Sequence, residues 1–262
     1  MSSKMGNAPV YLTLAQVKFN HVLALDKYAP SIQESFRKIG YPDFQKTMLQ
    51  TFNLNLSGIT DSQNVPVAPV AQYVFSNMEK TLGFILQQDA ITYHATEYDT
   101  FKTFSATLLQ GLAIVNSSVG GLSYTDRIGV RYLDAIFPRA QEKLVQYMEP
   151  SVLGLVGKIS GDLGHSFFET FIKMNSVNVV SRVIIQPGKV GIPADMQPFH
   201  FVLPERFRKL DGEHATLDND GFIESRAKFD EKIVRARLFE IHDEIAKFFK
   251  LMVTPFALEA WK

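Results

Sequence analysis

The stretch Tyr124–Phe137, YTDRIGVRYLDAIF, constrains this chain more than any other. It is rich in β-branched and aromatic residues and reads as one long strand, with Pro138 marking its exit. It also sits near the middle of the sequence, and the order of elements before it is repeated after it.

The first part opens with a strand at Val10–Phe19. Its apolar positions are Val10, Leu12 and Leu14, then Ala15, Val17 and Phe19, a change of phase that implies a bulge near Leu14 or burial on both faces. Asp26 reads as the N-cap of a helix that runs to about Ile39, with Tyr28, Ile32, Phe36 and Ile39 on one side, Pro30 in its first turn and Gly40 as its stop. Phe44–Leu56 alternates as a strand, Ser57–Pro69 is a loop, and short strands follow at Gln72–Ser76, Leu82–Gln87 and Ala90–Ala95. The next helix starts from a cap at Asp99 or Thr100. It carries Phe101, Phe104, Ser105, Leu108, Leu112 and Val115 at three- and four-residue spacing, and ends at Ser117–Gly121.

The second part follows the same order. The central strand leads into a helix over about Arg139–Leu153 and a glycine-rich connector at Gly154–Gly164. Strands follow at about His165–Met174, Val177–Gln186, Gln197–Leu203 and Glu213–Asp220. A final helix spans Ser225–Met252, with Val234, Leu238, Ile241, Ile245, Phe248 and Met252 as its apolar stripe. The fold expected is therefore α+β: one domain, 1–262, made of two pseudo-repeats at about 9–120 and 124–254. Each repeat is a β-α-β4-α unit. This order resembles the duplicated saddle of the TATA-binding-protein-like fold, and the resemblance implies one curved antiparallel sheet with four helices on one face. A shared topology carries no function with it.

Lys plus Arg and Asp plus Glu both total 27, a balance that argues against non-specific nucleic-acid binding. There are no cysteines, which excludes disulfides, thiolate metal sites and cysteine nucleophiles. The N-terminus, MSSKMGNAPV, lacks an apolar leader core, and no apolar run approaches the length of a membrane span. A soluble cytoplasmic protein without membrane contact is expected.

Four phrases taken together resemble a sporadically distributed family of bacterial proteins of about this length. They are APVYLTLAQVKFN at the start, EYDTF at Glu97–Phe101, RIGVRYLDAI at Arg127–Ile136 and LMVTPFALEAW at the end. The similarity spans nearly the whole chain. It implies no catalytic residues and no activity; patchy distribution implies accessory genes, of the kind that serve in phage defence.

In the central strand Arg127, Gly129, Arg131 and Leu133 share one face, opposite Ile128, Val130, Tyr132 and Asp134. With the apolar set under helices, both arginines point to the open side of the sheet. If the first strands of the two halves meet at the centre, Gln16 and Lys18 lie beside them. Guanidinium groups there could receive a carboxylate or phosphate of a small anionic ligand, or could pair with sheet carboxylates such as Glu169. Phe167, Phe168 and Phe171 share one strand and must point both ways, so at least one faces the open side, where it could stack on a base or ligand or, the favoured reading, be covered by a partner chain.

Other motifs fail. None of the six histidines forms a metal-binding pair in sequence, and no metal or cofactor is expected. Asp218-Asn219-Asp220-Gly221 departs from a calcium loop at Thr216 and Ala227 and reads as a hairpin turn or helix lead-in. Gly154–Gly164 has neither the phosphate-loop nor the dinucleotide spacing, and no serine elbow is present. The function expected is a non-catalytic binding or interaction module that uses the open sheet, with a protein partner or a second copy. The alternatives are an enzyme or sensor for a small anionic ligand, with Glu97 or Glu169 as its carboxylates, and a nucleic-acid-binding saddle.

Overall fold

The computed structural model describes residues 5–49, 70–196 and 200–262. Its strands are β1 (Val10–Phe19), β2 (Asp43–Leu49), β3 (Val70–Ser76), β4 (Leu82–Gln87), β5 (Ala90–Ala95), β6 (Tyr124–Ile136), β7 (Ser166–Met174), β8 (Val177–Gln186) and β9 (His214–Lys228). The helices are α1 (Leu25–Lys38), α2 (Phe101–Ser118), α3 (Leu144–Tyr147), α4 (Pro150–Leu153), α5 (Glu205–Arg208), α6 (Glu231–Met252) and α7 (Pro255–Ala260). Among the described residues the strands form a single antiparallel sheet in the order β2-β3-β4-β5-β1-β6-β9-β8-β7. The chain is thus α+β.

The first strands of the two halves do meet at the centre, with Gln16 opposite Gly129 and Lys18 opposite Arg127. The register between β1 and β6 shifts between Val10 and Leu12, so the expected irregularity lies slightly earlier than Leu14. The result is burial on both faces: Ala15 and Val17 go under the helices, and Tyr11 and Leu12 go to the other side.

One face is covered by α1, α2 and α6, whose Ile32, Phe36, Leu108, Leu112, Leu238 and Ile241 pack on Val17, Phe84, Ile91, Ile128 and Val179. Glycine permits two of these contacts. A β-carbon at Gly111 of α2 would lie 2.3 Å from the Phe84 ring, and one at Gly221 of β9 would lie 2.8 Å from Ile241. Thr100 caps α2 by accepting from the Thr103 amide, and Asp230 caps α6 by accepting from the Lys232 amide.

The second half departs from the expected β-α-β4-α order. Arg139–Leu153 is not one helix but the single turns α3 and α4. Pro150 has no N–H to donate and holds Glu149 extended, while Met148 pairs with Val253 instead. Leu144, Tyr147, Val152 and Leu153 still pack on Val183, Ile185 and Leu217, together with Met252 and Trp261. The expected strand over Gln197–Leu203 is absent from 200–203, and its first three residues fall outside the described ones. So do the loop Ser57–Pro69 and the outer end of Phe44–Leu56.

Residues 187–196 and 200–213 instead lie across the face opposite the helices. Phe201, Phe207, Val190 and Ile192 pack there on Tyr11, Leu12, Leu133 and Ala135. This strap is tied down by Tyr11 Oη donating to Gly191 O at 3.0 Å, the Val202 amide to Lys80 O at 2.8 Å and Thr96 Oγ1 to Val202 O at 2.8 Å. The face expected to be open is therefore covered at one end by the chain itself.

The third difference is β9. Asp218-Asn219-Asp220-Gly221 is no turn but the middle of a strand that runs to Lys228, so the final helix begins at Glu231 and not near Ser225. Packing overrides propensity here: Asn219 and Gly221 face the helices, and the two aspartates meet arginines on the other side.

Candidate functional site

Beyond the strap, the face opposite the helices carries a lattice of charge built from β1, β6, β9, β8 and β7. Strand alternation brings Gln16, Lys18, Arg127 and Arg131 together, as the sequence predicts, and sets Asp218, Asp220 and Glu224 beside them from β9.

Arg131 is saturated. Its Nε donates to Asp218 Oδ1 at 2.6 Å and its Nη2 to Asp218 Oδ2 at 2.7 Å, while Nη1 donates to Asp195 Oδ2 at 2.6 Å. The Arg131 side chain is 13% exposed and that of Asp218 only 1%. Burial pulls against the arginine's charge, but the hydrogen bonds and attraction of Asp218 and Asp195 outweigh it and hold the guanidinium above its ordinary pKa. Burial likewise opposes the charge of Asp195, and Arg131 overrides it, leaving that carboxyl below its usual range. Because Asp195 belongs to the strap, this arginine pins the strap to the sheet.

Glu169 does not reach the central arginines. It accepts from Arg182 Nε at 2.6 Å, and Arg182 Nη1 reaches Asp218 Oδ2 at 3.3 Å. Arg182 and Asp195 are missing from the sequence reading, which takes Asp218 and Asp220 for part of a turn and not for partners of the arginines. The one signal for the two sheet aspartates is the period-two run Thr216, Asp218, Asp220 and Phe222, opposite Ala215, Leu217 and Ile223.

Arg127 is held more loosely. Its Nη1 lies 3.4 Å from Gln16 Oε1, and its closest carboxylate oxygens, on Asp220 and Glu224, are 3.7 and 3.8 Å away. Its guanidinium lies 4.6 Å from the Phe222 ring centre and folds back over Gly129, where a β-carbon would come within 2.9 Å of Nη1. Burial raises the Asp220 carboxyl above its usual value, against the pull of Arg127 and Arg131. An anion arriving on this face would therefore meet Arg127 and Lys18, since the Arg131 donors are already spent on carboxylates.

Two other surfaces have the shape or exposure of a site. A cleft of about 1320 Å³ lies between residues 137–145, the connector 155–164 and the 211–213 turn, lined by Arg139, Glu142, Lys143, Asp162 and His165. Among the described residues no group of three or more His, Asp or Glu side chains is arranged to hold a metal ion, and no helix is long and apolar enough to cross a membrane.

The other surface is β7. It ends the sheet order among the described residues, and it exposes Phe167 (57%), Phe171 (51%), Phe168 (41%) and Ile172 (40%). The first two share the charged face, and the others point to the helix side, beyond the reach of α6. Comparison with protein families, curated proteins and solved structures finds no match to this chain.

Proposed function

We propose that this chain is a non-catalytic interaction module that binds another polypeptide along β7 and the adjoining charged face. The observation that carries the reading is the exposed aromatic edge. Four large apolar side chains on one strand form a surface that water penalises, at about 25 cal/mol for each Å² a partner would cover. The strap supports it as well, because it covers one end of that face and leaves β7 exposed. Crosslinking in the host cell with peptide mapping tests the reading. Crosslinks to another polypeptide that concentrate on residues 165–174 and vanish in Phe171→Asp support it; interprotein crosslinks that avoid this strand refute it.

One observation favours a second reading, a small anionic ligand. Lys18 and Arg127 stand directly across from each other, and like charges in that position repel. A phosphate or carboxylate seated between them would relieve that repulsion. The interleaved carboxylates work against a long polyanion such as nucleic acid. A thermal shift with phosphorylated small molecules that is lost in Arg127→Ala and kept in Arg182→Ala would support this reading; no shift, or a shift indifferent to Arg127, would defeat it.

The matched positions of β1 and β6 support reading 9–120 and 124–254 as duplicated units. On that reading the second unit has no counterpart of β2 among the described residues, and its strap stands where the first unit has the β4–β5 turn.

A further inference from the structure

We infer that the occupant of β7 is the same strand of a second copy, paired antiparallel about Phe171 so that one sheet runs through both chains. This inference rests on the interaction reading above and names its partner.

Sheet edges in soluble proteins are normally blunted by prolines, bulges or several charges. β7 has few of these defences: it pairs with β8 from Ser166 to Met174 without a register shift, contains no proline, and carries only two charges, Glu169 and Lys173. An edge so regular and so apolar fits another strand.

Self-complementarity identifies which one. In an antiparallel twofold pairing, opposed residues lie on the same face, so the axis must pass beside a residue. With the axis at Phe171, the two Phe171 rings meet and Glu169 of each copy stands opposite Lys173 of the other. On the helix side Phe168 opposes Met174 and Ile172 opposes Thr170. With the axis at Thr170, Glu169 would face Phe171 and Lys173 would face Phe167. With the axis at Glu169, the two carboxylates would oppose each other. The Phe171 register alone matches both charges and the central aromatics. Lys173 has no carboxylate at ion-pair distance in its own chain among the described residues, and its ammonium lies 5.8 Å from the Phe171 ring centre. Glu169 already leans on Arg182, so the partner's Lys173 would complete an Arg–Glu–Lys row across the junction.

Sedimentation equilibrium of the full chain, combined with single-cysteine crosslinking, tests this. The chain contains no cysteine, so each introduced thiol reports alone. Opposed Cα atoms in an antiparallel pair lie about 4.5–5.5 Å apart, inside the range a disulfide spans. Phe171→Cys should therefore form a covalent dimer. Thr170→Cys should not, because the two 170 positions are diagonal, at about 7–8 Å. Lys173→Glu should weaken the dimer about tenfold or more, because each Glu169 would then oppose a carboxylate of the other copy, with the far-ultraviolet circular dichroism of the chain unchanged. A wild-type monomer throughout the micromolar range overturns the inference, as does a dimer that crosslinks at 170 and not at 171. If the chain is monomeric while Phe171→Asp still abolishes crosslinks to a different polypeptide in cells, the interaction reading stands and the second copy is rejected. If neither result appears, both fail.

Discussion

Arg131 grips Asp218 with two parallel hydrogen bonds, 2.6 Å from Nε to Oδ1 and 2.7 Å from Nη2 to Oδ2, across two neighbouring strands. The fork matches the carboxylate in geometry as well as charge. Asp218 also accepts from Arg182, so one buried carboxylate serves two cations. Its loss should be expensive. Asp218→Ala leaves Arg131 with the exposed Asp195 alone, and should cost about 3 kcal/mol in urea unfolding. The double variant Asp218→Leu with Arg131→Met should recover most of that loss. A single variant indistinguishable from wild type would mean the pair is no structural anchor.

Asp195 makes a contrasting case. Its side chain is 62% exposed, so its ion pair with Arg131 belongs to the class that contributes little to global stability. Asp195→Ala should change the unfolding free energy by less than about 1 kcal/mol. It should still speed amide hydrogen exchange in 187–196, since the strap loses a tether while the sheet keeps its core. Unaltered exchange there would show that Phe201 and Phe207 hold the strap unaided.

Two buried titratable groups should give the chain opposed pH dependences. Burial pushes the Asp134 carboxyl up to about 7. The folded chain then keeps a proton that the unfolded chain releases near pH 4, so stability falls as pH rises from about 4 to 7. Burial lowers His94 to about 4, with His200 adding to the effect. There the unfolded chain binds a proton near pH 6.5 that the folded chain refuses, so stability falls as pH drops from about 6.5 to 4. Asp134→Asn should remove the first slope and stabilise the chain at pH 8 by up to roughly 4 kcal/mol. His94→Leu should remove the second. Denaturation curves between pH 4 and 8 would reveal both, and parallel profiles for wild type and variants would contradict the assignments.

At Gly111 two effects on stability compete. Alanine is favoured over glycine in a helix by about 1 kcal/mol. The added methyl, however, would sit 2.3 Å from a Phe84 ring carbon in the packed core. Overpacking costs of about 1–3 kcal/mol are typical, so Gly111→Ala should come out destabilised in urea unfolding. A stabilised variant would mean that the Phe84 ring has room to turn.

Sequence pattern foretold α1, α2, β3 to β8 and the meeting of β1 with β6 because their periodicity agrees with their final burial; the Thr100 cap of α2 was legible too, whereas α1 starts at Leu25 behind Ala24 and not from a cap at Asp26. It failed where long-range contacts decide. Asp218, Asn219 and Gly221 carry turn propensity, but each has a neighbour that only the assembled sheet supplies. Pro150 was the readable warning against a helix over Arg139–Leu153. The same division applies to the candidate site. Alternation placed Arg127 and Arg131 on one face, and the repeated order of elements brought Gln16 and Lys18 beside them, but nothing local reveals that carboxylates from β9 and the strap reach Arg131 first, or that Glu169 belongs to Arg182.

The strap leaves β8 at Gln186 and returns to β9 at His214, and those two residues are paired with each other in the sheet. Its ends are neighbours before any of it is ordered, so the wiring of the sheet does not depend on its length or content. In topological terms the strap is a detour from a hairpin, and the hairpin would close equally well around a tight turn. A lineage could lengthen, trim or rewrite this piece without redrawing the strands beneath it. That leaves 187–213 free to diverge, and with it the extent of the face left exposed.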